Sequence, residues 1–464
     1  MKPQLSLLTL CLLLGACGST AQRPDSGIQP PSSWQSPHTQ NATHRNLQWW
    51  TQFGSPELDR LIEQARVGSY DLAAAIARVR QAQADTVIAG GSLLPEVKAG
   101  LNANRQKLLR GSGYSQLDAD SSNKAVDYFD ANLSATYEID FWGGQRASRD
   151  SAQFGLQASE FDRATVELTL LSGVANSYAQ ALSLREQSRI AGLNLANAQN
   201  VLNLVQTRFD SGSATALELA QQKSLVAAQQ RQLPLVQQQA QDALISLAAL
   251  LGRPVQQLRL GAERFEQLSW PTIAAGVPSE LLTRRPDIAR AEAQLAAAQA
   301  DVTVARAAML PAVTLSAELG SGADRAADIL RNPFYNLTAG LLAPVFNNGR
   351  LSAERDKATA RQEELLENYR GAIINGFADV EKALNGIRGL DEQRQWQVEE
   401  LNQAQTAFNI AQSRYEAGAE DLLTVLETQR TLYAAQDLNV QLRLSRLQAS
   451  IALYKALGGG WQAL

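Results

Sequence analysis

The chain has 464 residues and is slightly acidic, with a formal net charge of −4 and an isoelectric point near 5.5. This charge gives no electrostatic reason to expect nucleic acid as a partner. The two histidines, His38 and His44, lie in a Ser/Pro/Gln-rich stretch without a neighbouring carboxylate cluster, so we expect no metal site. Walker, Gly-x-Ser-x-Gly and His-Glu-x-x-His motifs are absent from the sequence, and we therefore do not expect an enzyme.

The N-terminal residues have the pattern of a secretory signal. Lys2 supplies a positive charge, Leu5–Leu14 form an apolar core too short to span a bilayer, and the tetrapeptide LGAC ends at Cys17. This tetrapeptide matches the bacterial lipobox, which predicts cleavage before Cys17 and a covalent lipid on its sulfur. An ordinary signal peptide followed by a chance cysteine is the alternative. Cys11 would be removed with the signal, so we expect no disulfide or thiolate metal site in the mature chain.

Two halves of the sequence repeat one another. Leu94-Pro95 recurs as Leu310-Pro311, which is an offset of 216 residues (311 − 95). Further along the chain, an Arg-x-x-x-Gly motif that starts at Arg208 recurs at Arg414, an offset of 206 (414 − 208). The shared order indicates an internal duplication. The ten-residue difference between the offsets predicts a longer loop between the strands of the first half.

The longest apolar patterns predict helices. Between Leu170 and Phe209, apolar or small residues recur at alternating spacings of four and three, and the second half repeats this pattern between Val380 and Tyr415. A period of 3.5 residues predicts left-handed coiled-coil packing. A helix from about Ala147 to Phe209 would be about 90 Å long at 1.5 Å per residue, which is longer than a globular core requires.

Between the helices the hydrophobic period becomes two. Apolar and polar residues alternate at Val97–Ala103 and Phe129–Phe141, and again at 313–319 and 337–345. Each segment is about ten residues long, which suits a strand tilted across a bilayer, although the same alternation fits a soluble hairpin. After the signal, no apolar run is long enough for a transmembrane helix, so a membrane-spanning part would have to be a closed β-barrel. Four strands cannot close a barrel, and the membrane interpretation therefore predicts an oligomer.

Several motifs together resemble the TolC-like outer-membrane efflux proteins, and most closely the lipoprotein subunits of RND-type drug efflux systems. They are the lipobox, the paired Leu-Pro and Arg-x-x-x-Gly motifs, LLTRRPDI at Leu281–Ile288 and LTVLETQR at Leu423–Arg430. The glycine that follows the cysteine, Gly18, resembles the residue found at this position in lipoproteins that are sent to the outer membrane. The resemblance covers nearly all of the mature chain. It implies a mainly α protein with a small membrane β-barrel, in which four strands per chain are pooled in a trimeric twelve-strand barrel above a periplasmic helical tunnel.

The resemblance implies the exit duct of a tripartite efflux pump, which passively conducts drugs or other small molecules to the outside. The implied partners are a periplasmic membrane-fusion adaptor, an inner-membrane RND pump and outer-membrane lipid. No cofactor is implied other than the covalent lipid on Cys17. A TolC-like channel for type I protein secretion and a lipid-anchored periplasmic coiled-coil scaffold remain as alternatives. The exported compound cannot be identified from the sequence.

The resemblance also places a gate on the last long helix. The family's Asp-x-x-Arg motif at the periplasmic constriction falls here on Glu427 and Arg430, with Leu423 as a candidate apolar constriction. Glutamate stands where relatives often have aspartate, which puts the geometry of the salt bridge in doubt. The alternative interpretation is an i, i+3 ion pair on a helix surface. The equivalent first-half residues, Gln221 and Ser224, cannot form such a pair.

Helix tips are implied at Arg208, Gly212, Arg414 and Gly418, where the adaptor would dock. The alternative is that both glycines simply end a helix at the C′ position. The residues at 284–287 have the pattern of a helix start, and we assign them a structural role.

On this basis the chain divides into six segments. They are a lipoprotein signal peptide at 1–16, a lipid anchor and extended segment at 17–54, a first structural repeat at 55–260, a linker at 261–279, a second structural repeat at 280–457 and a C-terminal tail at 458–464.

Overall fold

The computed structural model describes residues 25–36, 48–107, 126–271 and 273–461. The predicted signal peptide, Cys17, both histidines and most of the loop between the first two strands lie outside these residues. None of the described helices is long and apolar enough to cross a membrane.

Each half of the chain contributes four helices and two strands within the described residues. The first half contains α1 (Pro56–Gly68), α2 (Tyr70–Gly91), β1 (Glu96–Gln106), β2 (Val126–Ile139), α3 (Gly144–Asp210) and α4 (Ala216–Leu250). The second half contains α5 (Pro278–Arg284), α6 (Pro286–Ala307), β3 (Ala312–Ala323), β4 (Pro333–Leu342), α7 (Arg350–Glu416) and α8 (Leu422–Ala456). Short 3₁₀ turns, including one at Trp49–Phe53, lie between these elements.

The helices have the same lengths in both halves. α2 and α6 have 22 residues each, α3 and α7 have 67 each, and α4 and α8 have 35 each. The connection from β1 to β2 takes 19 residues (107–125), whereas the connection from β3 to β4 takes nine (324–332). The predicted internal duplication and its ten-residue excess in the first strand–strand loop are therefore confirmed.

The four strands form one antiparallel sheet in the order β1-β2-β3-β4. In its register, Leu133 of β2 pairs with Ala99 of β1 and with Leu319 of β3, so the predicted apolar positions lie on one face. Side chains on that face, such as Leu101, are exposed. On the polar face, the Asn102 amide donates to Asp130 over 2.8 Å. β2 and β4 end before the last residues of their alternating patterns, at Ile139 and Leu342.

The described contacts divide the chain into two compact units. Of the described residues, the sheet unit contains those within Arg80–Ala158 and Ala291–Tyr369, together with 25–27. The helical unit contains Ile28–Val79, Ser159–Arg290 and Arg370–Leu464. The main core of the helical unit contains large, fully buried side chains from all three of these segments. They are Trp49, Ile62, Tyr178, Leu182, Leu247 and Leu447.

The heptad seam of α3 is present but differs in register from the predicted one. Ala191, Ala198 and Val205 are buried as the spacing predicts. The intervening buried residues are Asn194 and Val201, each one position earlier than predicted. Spacings of three-then-four and four-then-three have the same mean period, so periodicity alone cannot choose between them. The predicted seam positions 195, 202 and 209 are accordingly only half-buried or exposed.

Two glycines fix the junction between the short helices of each half. Gly252 has a φ of 68°, and a Cβ added there would lie 2.0 Å from the carbonyl oxygen of Gly68, between α1 and α2. Gly458 has a φ of 87°, and its Cβ would lie 1.9 Å from the carbonyl oxygen of Arg284, between α5 and α6. Only glycine permits both this backbone conformation and this close approach. Gly252 and Gly458 are 206 residues apart, and Gly68 and Arg284 are 216 residues apart. Both offsets of the sequence repeat are therefore preserved.

Candidate functional site

One end of the helical unit is formed by two helix–turn–helix tips. Gly212 ends α3 and Gly418 ends α7, and both have a φ of 75°. In the first tip the Ser213 N–H donates to the Arg208 carbonyl over 2.8 Å, and the Ala419 N–H donates to the Arg414 carbonyl over the same distance in the second. This is the hydrogen bonding of a Schellman-type C-cap. The glycines therefore end their helices, as the structural interpretation of the motif predicts.

The helices that follow the tips begin with side-chain caps. The Thr215 hydroxyl accepts from the Glu218 N–H, and the Glu218 carboxylate accepts from the Thr215 N–H, which is a capping box. Asp421 caps α8 by accepting from the Thr424 N–H over 2.8 Å. Hydrogen bonds from the Thr424 and Leu423 backbone hold the pKa of the Asp421 carboxyl below its usual value. Both tips are thus well defined on each side of the turn.

The arginines of the two tips have different partners. Arg208 lies with its guanidinium 4.6 Å from the centre of the Tyr415 ring and donates to the Tyr415 carbonyl over 2.8 Å. Within the described part of the chain, Arg414 pairs only with its own tip, through Glu420 at 3.3 Å and the Ala419 carbonyl at 3.3 Å. Arg208 therefore joins the first tip to the second, whereas the Arg414 side chain remains 58% exposed.

The three predicted gate residues share one face of α8. Leu423, Glu427 and Arg430 follow one another at spacings of four and three, and all three side chains are exposed. The opposite face is buried and contains Leu422, Val425, Leu426 and Gln429. At 1.5 Å per residue, the exposed stripe extends over roughly 10 Å from the start of α8. The structure therefore brings the gate residues together, next to the second tip.

Glu427 and Arg430 do not pair with each other. Within the described residues neither side chain takes part in an ion pair, and the only hydrogen bond to Glu427 outside the helix backbone is the Thr431 hydroxyl on its carbonyl. Leu217, which corresponds to Leu423 in the first half, is also exposed. The surface i, i+3 pair that the sequence permitted is therefore not formed within this chain. Both charged groups are free to meet partners from outside it.

A buried polar chain on the opposite face of α8 links this helix to α3. The Gln429 amide donates to the Tyr433 hydroxyl over 2.8 Å, and that hydroxyl donates to the Asn194 carbonyl over 2.8 Å. Burial raises the pKa of Tyr433 to about 12. A second link lies within the first half, where the Gln222 amide donates to the Ala198 carbonyl over 2.7 Å. Sequence reasoning missed these links, although a glutamine beside apolar seam residues is a usable signal.

The remaining predicted site residue cannot be placed, because Cys17 lies outside the described residues. The described part of the chain contains no group of three or more His, Cys, Asp or Glu side chains arranged to hold a metal ion. The arrangement is that of two capped helix tips with an exposed charged stripe beside them.

Comparison with known proteins identifies the family. The sequence model of the outer membrane efflux proteins matches residues 61–253 and 277–459. The chain belongs to this family. It is similar to the pyoverdine export outer membrane protein OpmQ of Pseudomonas aeruginosa, with 66% identity over 460 residues that cover 99% of this chain and 97% of that protein. The protein of the same name from Pseudomonas putida is 63% identical and covers 99% of this chain and 98% of its own length.

Solved structures agree with this assignment. The outer-membrane channel OprN matches with a TM-score of 0.87 and 26% identity, over 96% of this chain and 100% of that one. The predicted family, the mainly helical fold with a small sheet, the efflux function and the outer-membrane location are confirmed. The chain is the outer-membrane exit duct of an efflux system.

Proposed function

We propose that three copies of the chain form an outer-membrane duct that exports pyoverdine or a siderophore of similar chemistry. The observation that supports pyoverdine as the cargo is the 66% identity to a pyoverdine export protein over nearly the whole chain. The cargo would be delivered by an inner-membrane RND pump through a periplasmic adaptor, as the family resemblance implies. The duct conducts passively and has no enzymatic activity.

The sheet supports assembly from several copies. Within the described residues, β1 and β4 each pair on one side only, so this sheet has two edges with unpaired backbone groups. The apolar face, which includes Leu101 and Leu341, is exposed in the single chain. In lipid, unpaired edges would cost several kcal/mol for each unsatisfied group. Pooling strands from neighbouring copies into one closed sheet removes these edges and turns the apolar face toward the lipid.

The gate is the second part of the proposal. Among the residues that the structure describes, Glu427 and Arg430 have no ion-pair partner on the exposed face of α8, and Leu423 lies one turn nearer to the tip. In a ring of copies this face would meet the equivalent face or the α4 face of a neighbour. We expect charge-assisted hydrogen bonds between chains to hold the periplasmic end closed until the adaptor binds.

The lipid on Cys17 is the third part. It would tether the N-terminal segment to the inner surface of the outer membrane. Residues near Trp34 would then fix that segment on the helical unit, because the Trp34 indole is buried and donates to the Gly276 carbonyl over 2.9 Å. The backbone N–H groups of Gln35 and Ser36 also donate to the Glu381 carboxylate.

The cargo assignment is tested by complementation. The chain would be expressed in a strain that lacks its own pyoverdine export outer membrane protein, and pyoverdine would be measured in the medium and in the periplasm by mass spectrometry. We expect the wild-type chain to move pyoverdine from the periplasm to the medium. Leu341→Arg is the matched control, because a charge on the lipid-facing side of the sheet opposes insertion by about 2–4 kcal/mol per chain near mid-bilayer.

Two further outcomes separate the parts of the proposal. A wild-type chain that reaches the outer membrane but leaves periplasmic pyoverdine unchanged contradicts the cargo. If the same purified protein still conducts ions in planar bilayers, the duct remains supported for another compound. Absence of both export and conductance contradicts the duct in this chain.

A further inference from the structure

The two helix tips are equivalent in sequence, yet only one of their aromatic residues is covered. Arg208 and Arg414 correspond at an offset of 206, and so do Phe209 and Tyr415. The Tyr415 ring lies under the Arg208 guanidinium, and Tyr415 is only 2% exposed. Among the described residues, no guanidinium covers the Phe209 ring, and Phe209 is 37% exposed.

The backbone acceptors at the two positions differ in the same way. The Tyr415 carbonyl accepts two hydrogen bonds, from the Gly418 N–H over 3.0 Å and from Arg208 over 2.8 Å. Among the described residues, the Phe209 carbonyl accepts only the Gly212 N–H, over 2.9 Å, beyond the bonds of its own helix. A carbonyl oxygen has two lone pairs. The first tip therefore presents an uncovered ring and a free acceptor where the second tip has both occupied.

We propose that Arg414 of one copy occupies this position on Phe209 of the next copy. The inference rests on the ring of copies in the proposed function. In such a ring, first and second halves alternate, so the step from second half to first half crosses between chains. Because the halves share helix lengths and tip geometry, that step would reproduce the contact made within the chain. Arg208 on Tyr415 is then the template for Arg414 on Phe209.

The chemistry of Arg414 suits this contact. Its guanidinium is planar, so its edge can keep Glu420 and the Ala419 carbonyl while its face covers an aromatic ring. Cation–π attraction at an exposed site favours the contact by roughly two- to five-fold in equilibrium constant, and a ring of three copies contains three of them. Arg208 and Arg414 therefore each join two neighbouring tips. The surface that remains free for an adaptor is that of the turns themselves.

Site-directed cross-linking tests the proposed neighbours. Phe209→Cys and Arg414→Cys would be introduced together into the full-length chain, the assembled protein purified in detergent, and a short bismaleimide added before denaturing electrophoresis. We expect bands at two and three times the chain mass. The matched control is Arg208→Cys with Tyr415→Cys, which should cross-link within one chain and leave its mass band unchanged.

Further controls address unspecific reaction. Each single cysteine variant, and Leu193→Cys with Arg414→Cys, should give no oligomer bands above background, because Leu193 is exposed but lies 16 positions from Phe209 on α3 (209 − 193). That separation corresponds to roughly 24 Å along the helix. Equal oligomer bands from this control pair would overturn the assignment, because they would show that proximity at the tip is not specific.

The outcomes also separate this proposal from the proposed function. Monomer bands alone from Phe209→Cys/Arg414→Cys, with an intact oligomer by light scattering, would overturn the tip contact and leave the duct standing. Wild-type protein that is monomeric under the same conditions would overturn both.

A second measurement tests the chemical nature of the contact. The fraction of oligomer that survives graded heating in detergent would be compared for Phe209→Leu, Arg414→Gln and the double variant, with Phe209→Tyr as the conservative control. We expect each single change to lower the survival ratio by roughly two- to five-fold per contact and Phe209→Tyr to leave it unchanged. The double variant should lose no more than either single variant. If the loss of survival in the double variant equals the product of the two single losses, Phe209 and Arg414 do not share a contact.

Discussion

In the first half, the Tyr178 hydroxyl on α3 lies 2.8 Å from the Glu263 carboxylate and 3.0 Å from that of Glu57, and Ser55 also donates to Glu263. In the second half, the buried Arg285 guanidinium binds Asp287 at 2.6 Å and Asp379 at 3.0 Å. A phenol beside two carboxylates therefore stabilises the first half, and a guanidinium paired with two carboxylates stabilises the second. The backbone shape is shared, but the polar groups that hold it are not.

This difference indicates which features of a duplicated chain are constrained. Gly252 and Gly458 both touch a backbone carbonyl, a contact that no side chain can replace, and both remain glycine. The polar groups around Tyr178 and Arg285 only have to satisfy one another, so different sets serve equally well. The following changes test this comparison, from the largest expected effect to the smallest.

Gly458→Ala and Gly252→Ala should each destabilise the helical unit by about 3 kcal/mol or more, because the new Cβ meets a backbone carbonyl and φ is positive. Thermal unfolding followed by circular dichroism would measure this. Gly192→Ala in α3 is the matched control, since nothing lies within 4 Å of its added Cβ, and it should stabilise by about 0.5–1 kcal/mol. Similar behaviour of all three variants would refute the role given to the two junction glycines.

Arg285→Gln should destabilise the second half by about 2–3 kcal/mol, a value below that of a fully buried pair because Asp287 and Asp379 are partly exposed. Tyr178→Phe, its first-half counterpart, should cost about 1 kcal/mol, because it removes a neutral donor. Chemical denaturation of both variants gives the comparison. A larger loss for Tyr178→Phe would reverse the ranking of the two clusters.

The pH dependence of stability distinguishes Arg285 further. Burial alone would raise the pKa of Asp287, but the hydrogen bonds and charge of Arg285 outweigh it and hold that pKa below its usual value. The stabilisation is therefore present above the ordinary pKa of about 3.9 and is lost as pH falls through the lower folded value. Denaturation midpoints between pH 6 and pH 3 should fall less steeply in Arg285→Gln than in wild type. Parallel profiles would exclude the Arg285–Asp287 pair as the cause.

Arg430→Ala should increase single-channel opening in planar bilayers by at least about tenfold, because the loss of a single charge-assisted hydrogen bond of about 1.5 kcal/mol gives that ratio and the proposed ring has one in each of three chains. Ser224→Ala, at the equivalent first-half position, should leave opening unchanged. Leakage of a periplasmic marker gives the same comparison in cells. The gate assignment fails if the two variants conduct alike.

The caps of α4 and α8 should give the smallest effect. Thr215→Ala removes the hydroxyl of the capping box and should weaken the first tip by about 1 kcal/mol at pH 7. The Asp421 cap has a lowered pKa, so its contribution should decline as acid protonates it. Amide hydrogen exchange at Leu217–Leu219 and at Thr424–Leu426 would resolve the two tips. Protection at Thr424–Leu426 that does not change on acidification would show that Asp421 does not cap α8 as a carboxylate.

Features with a local cause could be predicted from the sequence. The helix ends at Gly212 and Gly418, the start of α6 at Pro286, and the ten-residue excess in the first hairpin loop all agree with the structure. Chain stiffness, a missing Cβ or a missing N–H decides each of these within a few residues. The placement of Leu423, Glu427 and Arg430 on one face of α8 also follows from helical spacing alone.

Only the tertiary structure decided which residues of α3 face inward and which distant groups meet. Asn194 rather than its neighbour at 195 is buried, and the Tyr433 hydroxyl donates to the Asn194 carbonyl from another helix. Arg208 meets Tyr415, a residue 207 positions away, although the motif alone gave Arg208 and Arg414 the same role. Hydrophobic periodicity reports the mean direction of a helix face and contains no information about the partner across it. The sequence by itself therefore determined the repeated elements and the ends of the long helices, and long-range packing determined the contacts that distinguish one half from the other.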